Sequence, residues 1–227
     1  MSDHHPLDSL YASGWGRPDP SGRFHELRLA LSAAENAISH QTDQLVLREQ
    51  ASRRNESNVA NTSNVDLSVL HMETGELFAK VFRVGLLLSS WAVFESCIKD
   101  LGEYVRRHRD MPSGRQDLRA GDILTQSEKF FQGTLEIDPF PNKDDRKQLQ
   151  LLKGLRNALV HHDGNLSEVP AELVNAGGLV MKVVGYHNEY VIPSAQYNRS
   201  SLELTARVSE LLATNVYRVL HPESGDA

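Results

Sequence analysis

Between Leu67 and Arg109 the chain is helical in period and apolar over more of its circumference than a surface helix can use. Leu77, Val81, Leu88, Trp91, Phe94, Ile98, Leu101 and Val105 form a seam at helical spacing. Val84, Leu86 and Leu87 widen that seam until the segment is apolar nearly all round. Such a helix has to be surrounded, as the central member of a bundle or as part of a dimer interface. Thr74-Gly75 is a candidate break near its start. Unbroken from Glu76, it would be about 50 Å long at 1.5 Å per residue. Glu95 follows Phe94 in this run, and a carboxylate among apolar residues needs water or a partner. It is either a surface group on the wet side or a supporting carboxylate that holds Arg156.

The flanking segments read as further helices. Phe24, Leu27, Leu31, Ala34 and Ile38 step by three and four, predicting a helix to about Glu49. Residues 51–64 are polar and Asn- and Ser-rich, and are expected to be a loop. Pro112, Ser113 and Gly114 mark a turn, and a short helix is expected from Asp122 to about Phe131. Pro139-Phe140-Pro141 breaks the chain, after which Asn142 can cap a helix with Asp144 and Asp145 in its first turn. Leu149, Leu152, Leu155 and Leu159 give that helix its period. The pattern then changes: residues 179–192 hold two β-rich runs around Gly185 and His187, a hairpin. Ser200 to Glu203 is a capping-box signal for the last helix, and residues 222–227 are a tail. Residues 1–22 form an irregular arm rich in Pro, Gly, Ser and Asp, with Trp15 as a possible anchor. The fold class is mainly α: one helical-bundle domain over residues 23–221, with a small β-hairpin before the C-terminal helix.

Composition narrows the function classes. No apolar run approaches the ~20 residues of a membrane span, and no basic, then apolar leader opens the chain, so a cytoplasmic protein without membrane contact is expected. Cys97 is the single cysteine, which excludes an intramolecular disulfide and a cysteine metal cage; a buried inert thiol is the default. A net charge of −6 argues against a general nucleic-acid coat protein but permits a small local site. The run Arg106-Arg107-His108-Arg109, with Arg115 and Arg119 beyond, reads as a solvated helix end or as a phosphate-steering patch.

The chemistry is concentrated at Arg156-Asn157-Ala158-Leu159-Val160-His161, followed by His162-Asp163-Gly164. Asn157 and His161 are four apart and share a helical face, and the long Arg156 side chain can reach the same place. These groups suit metal-free cleavage of a phosphodiester. An imidazole moves the proton of an attacking 2′-hydroxyl, and a guanidinium neutralises the charge that builds on phosphorus. The plain alternative is a helix end whose basic residues satisfy the last carbonyls, with Gly164 after the cap. Adjacent His161 and His162 point about 100° apart, so they do not suggest a shared metal, and no cofactor is signalled.

Arg156-Asn157, three variable residues and His161, on a late helix of an all-helical chain, resemble the motif of the HEPN superfamily of RNase and nucleotide-binding domains. The preceding long helix with Ser90-Trp91-Ala92-Val93-Phe94-Glu95 is similar in context, and the resemblance covers roughly residues 70–220. It implies a HEPN-like bundle and an endoribonuclease acting on RNA, with Arg156, Asn157 and His161 catalytic and Glu95 and His162 supporting. It also implies a homodimer whose motif helices meet near a two-fold axis, a setting in toxin–antitoxin or anti-phage defence, and an antitoxin or sensor as partner. Some members carry a Tyr, modified by a partner nucleotidyltransferase, where this chain has Asp163. The rival readings are a non-catalytic HEPN module that binds a nucleotide or protein, and a plain dimeric scaffold.

Overall fold

A computed structural model describes residues 18–55, 64–111, 118, 121–175, 180–184 and 189–222. The fold is mainly helical. Its elements are α1 (Ser21–Asn55), α2 (Asn64–His108), α3 (Ile123–Leu135), α4 (Lys143–His161), a 3₁₀ turn (Leu166–Glu168), α5 (Ala171–Asn175), β1 (Val180–Val184), β2 (Glu189–Pro193) and α6 (Ala195–Leu220). Trp15, Arg115, Arg119 and the Gly185–Asn188 link with His187 lie outside the described residues.

Inter-helix contacts fix the directions. Arg83 grips Glu35 of α1 through two hydrogen bonds of 2.9 and 2.7 Å, and Arg23 meets Asp100 at 2.8 Å, so α1 runs antiparallel to α2. Asn198 Nδ2 donates to the Arg83 carbonyl, Ser90 and Thr205 share a hydrogen bond, and the Tyr104 hydroxyl meets His221 Nε2. All three links advance in step, so α6 runs parallel to α2. Arg146–Glu128 and Lys153–Asp122 set α3 and α4 antiparallel, and Arg207–Asp145 ties α4 to α6. One core cluster runs through these helices, with Phe24, Phe94, Ile98, Leu124, Phe131 and Leu155 fully enclosed.

The long apolar segment is the central helix. Leu87, Trp91, Phe94, Ile98, Leu101 and Val105 are buried at the expected spacing. Two details differ from the sequence reading. Thr74-Gly75 lie inside an unbroken α2, and Leu77 and Val81 are each 61% exposed rather than part of the buried seam. Asn198, in the first turn of α6, sits against Arg83, so α2 before about Lys80 runs past the start of α6 and loses that cover. By length and composition alone Leu77–His108 could cross a membrane, with 28% of its most apolar window buried, which amends the expectation that no run approaches a span. The stretch tolerates Lys80 and Arg83 because hydropathy is an average; both charges have carboxylate partners in the fold.

Several boundaries move outward. Residues 51–55 of the expected loop are helical, as is Asn64, while 56–63 lie outside the described residues. The last helix starts at Ala195, where the Ser194 hydroxyl caps the Tyr197 amide. Ser201, from the expected capping box, is instead buried inside that helix, and Glu203 binds Arg28 of α1. Long-range packing overrode a local signal there. α4 keeps its expected cap, Asn142; Asp122, where the sequence reading starts the preceding helix, is the cap of α3, which runs past Phe131 to Leu135. The hairpin is present as β1 and β2, paired antiparallel with Val180 opposite Pro193 and Val184 opposite Glu189.

Candidate functional site

Helix α4 buries Leu149, Leu152, Leu155 and Leu159, which turns its other face outward near the C-terminus. Arg156 and Asn157 lie half-buried on it, and His161 and His162 are exposed at its end. The Arg156 guanidinium donates from Nη1 to Asn157 Oδ1 at 3.0 Å. Among the described residues Arg23, Arg28, Arg83, Arg106, Arg107, Arg146 and Arg207 pair with carboxylates. Arg156 has no carboxylate partner among the described residues. Its bond to a neutral amide orients the guanidinium and leaves its charge uncompensated.

The His161 and His162 rings stand edge to face with centroids 6.5 Å apart. Among the described residues no hydrogen bond joins His161 to Arg156 or Asn157. The sequence brought the three to one helix end; in the single chain they are neighbours rather than a bonded constellation. Five residues apart, Arg156 and His161 are about 140° apart around the helix at 100° per residue.

Glu95 does not support Arg156. Its Oε1 accepts from Trp91 Nε1 at 2.8 Å and its Oε2 lies 3.8 Å from Lys99 Nζ. Both partners are four residues away on its own helix, one on each side. Trp91 is buried, and an indole N–H taken from water needs an acceptor; Glu95 supplies it. In the basic run Arg106 and Arg107 pair with Glu103 within the last turns of α2, and Arg106 is shielded, lying over the Phe130 ring rather than standing in solvent.

The chain reverses immediately after His161. The His162 and Gly164 amides both donate to the Ala158 carbonyl, at 3.0 and 2.9 Å, closing the helix end. Asp163 and Gly164 take left-handed backbone, φ 51 and φ 74. Glycine is required at 164: a Cβ there would stand 3.0 Å from Val191 O and 3.1 Å from Leu159 Cδ2. The Val191 amide then donates to the Gly164 carbonyl at 3.0 Å, and Asn165 bridges Tyr190, so strand β2 holds the turn in place.

Lys80 of α2 completes this corner and was not read from the sequence. Its ammonium lies 2.9 Å from Asp163 Oδ1 and 4.5 Å from the centre of the Tyr190 ring. A signal was present: Lys80 and Arg83 are the two charges in the apolar stretch from Leu77 to Phe94, and such charges need partners from elsewhere in the fold. Among the described residues no group of three metal-ligating side chains gathers. No protein-family profile, curated protein or solved structure matches this chain.

Proposed function

We propose that this chain is a metal-independent endoribonuclease of HEPN type, acting in the cytoplasm as a toxin or anti-phage defence effector. His161 moves the proton of the attacking 2′-hydroxyl, Arg156 neutralises charge on the pentacoordinate phosphorus, and Asn157 orients the guanidinium. The products are a 2′,3′-cyclic phosphate and a 5′-hydroxyl. The observation that supports this best is the uncompensated Arg156, held by Asn157 beside exposed imidazoles. Among the described residues this guanidinium meets an amide and no carboxylate, which leaves it able to receive the anion of a substrate. Two copies of the chain would bring two motif ends together, and the exposed Leu77, Val81 and Phe82 of α2 offer apolar surface near Lys80 for that contact.

The competing reading is a non-catalytic HEPN module in which Arg156 and His161 hold a nucleotide phosphate or a protein partner; the net charge of −6 favours it. Expression of wild type beside His161→Ala and Arg156→Ala, scored by growth and RNA integrity, separates the two. Loss of an oriented charge donor costs on the order of 10²–10³ in rate, so both variants should leave RNA intact while folding normally. Equal RNA degradation by wild type and both folded variants would reject the enzyme reading.

A further inference from the structure

Three residues apart on α2, Lys80 and Arg83 each meet a carboxylate from another element, and the two ion pairs are built differently. Arg83 and Glu35 are both shielded, with side chains 13% and 19% exposed, and are joined by two hydrogen bonds. That is a structural pair. Lys80 is also shielded, at 20%, but its partner Asp163 is 87% exposed. The cation is fixed and the anion is solvated. A carboxylate so open to water holds an ammonium weakly, so another anion can replace it at little cost.

The position of Asp163 gives that asymmetry a meaning. It follows His161 by two residues, which keeps their Cα atoms within about 7.6 Å. It also adopts φ 51, a conformation uncommon for a residue other than glycine. The turn sets that carboxylate against Lys80, next to the two exposed imidazoles. Tyr190 fixes the ammonium from the other side through its ring face. This corner thus gathers Lys80 and the imidazoles of His161 and His162, and Asp163 is the carboxylate hydrogen-bonded to Lys80.

We propose that Lys80 is a phosphate-binding residue of the Arg156–His161 site and that Asp163 is its displaceable counterion. The inference rests on the reading of that site as one that takes an RNA phosphodiester. Before binding, Asp163 keeps the Lys80 ammonium aimed at the end of α4. On binding, the ammonium exchanges Asp163 for a phosphate oxygen, and the freed carboxylate turns to solvent. Lysine suits the exchange because it acts as a compact point charge and needs no fixed bidentate partner.

The two halves of the pair should then respond with opposite signs. The probe is a fluorescent 2′-O-methyl oligoribonucleotide, which lacks the attacking hydroxyl and cannot be cut, with binding read by anisotropy across a salt series. Lys80→Gln should weaken binding by about ten-fold at low salt and reduce the magnitude of the salt slope by about 0.7, one phosphate contact on a single strand. Asp163→Asn should tighten binding several-fold, and asparagine accepts the left-handed backbone. Lys80→Arg should keep most of the affinity. A purely structural pair would lose melting temperature and affinity in both Lys80→Gln and Asp163→Asn, and that result overturns the proposal. So does a folded Lys80→Gln with wild-type affinity and salt slope, or a wild type that does not bind the probe. If Lys80→Gln fails to fold, the Asp163→Asn arm decides alone, and weakened or unchanged binding there rejects the idea. Cleavage of unmodified RNA is scored separately. A wild type that binds the probe with these opposite responses but does not cut RNA removes the enzyme reading and leaves the Lys80 assignment standing. Cleavage lost in His161→Ala, with Lys80→Gln still indistinguishable from wild type in binding, removes only the Lys80 assignment.

Discussion

Replacing Gly164 with alanine should destabilise the protein and disable the candidate site together, and the size of the effect can be worked from the turn. At φ 74 an alanine pays the left-handed penalty of about 1–2 kcal/mol. Its Cβ would also press on a backbone oxygen, Val191 O, at 3.0 Å and on Leu159 Cδ2 at 3.1 Å, and crowding of that kind typically adds about 1–3 kcal/mol. Reduced freedom of the unfolded chain returns roughly 0.4–1 kcal/mol. The net is a loss of about 1–4.5 kcal/mol, centred near 3, or roughly 2–18 °C in melting temperature for a domain of this size. Gly133 on α3 is the control, since it has nothing within 4 Å of an added Cβ. Gly133→Ala should be neutral or gain up to about 1 kcal/mol. Thermal melts by circular dichroism, checked by urea midpoints, measure both. A Gly164→Ala protein that melts within 2 °C of wild type would show that the turn is not held as described, and the placement of His161 and His162 would lose its basis.

Other outcomes follow from single features. RNA cleavage should persist in excess EDTA, because the proposed step uses only Arg156, Asn157 and His161; complete loss restored by one divalent ion would reject the mechanism. Burial pushes the Cys97 thiol up to about 11, with Arg23 opposing, so native protein should resist a thiol reagent at pH 8 until urea unfolds it; immediate labelling of folded protein contradicts this. The hydrogen bonds from Arg28 hold the Glu203 carboxyl below the ordinary carboxylate range, against desolvation. Its contribution to stability is therefore present above the unfolded value, roughly pH 4, and is lost as pH falls through the lowered one. Glu203→Gln should accordingly flatten the acid side of a urea-midpoint profile, and an unchanged acid limb counts against that pair. Mixing Arg156→Ala with His161→Ala protomers should recover part of the cleavage if both chains serve one cleft; recovery of none, with dimers formed, contradicts a composite site.

The features legible in the sequence were those set by local period and by caps. α2, α3, α4 and the hairpin were readable because apolar spacing, Asp122 and Asn142, and the β-rich runs around Gly185 each act over a few residues. What was not legible depended on where one element ends against another. Leu77 and Val81 carry the same period as Trp91, yet they stay exposed because α6 begins only opposite Arg83. Ser200 has a cap's sequence, with Glu203 three residues on, but the helix had already started at Ala195 under the Ser194 cap. Glu95 was assigned to Arg156 across the fold, whereas Trp91, one turn away, needed the same carboxylate. Of the candidate site, the α4 residues were readable and the contribution of α2 was not. Lys80 reaches Asp163 across 83 positions, and no periodicity within either segment records that pairing.

A cationic helix end and a phosphodiester site use the same atoms at first sight, and the distinction lies in how charge is balanced. In the ordinary case basic side chains near a C-terminus face solvent or the last carbonyls, and none needs an anion. Here the guanidinium is half-buried, bonded to an amide, and without a carboxylate among the described residues. The Lys80 ammonium is shielded, and the carboxylate that meets it is one that water already surrounds. One turn along the same helix a shielded cation does receive a shielded anion, since Arg83 meets Glu35. The chain thus has the means to neutralise charge internally and does not apply it at the end of α4. An anion from outside is the partner that this local imbalance calls for, and beside two exposed imidazoles a phosphodiester is the anion on which those groups could perform chemistry.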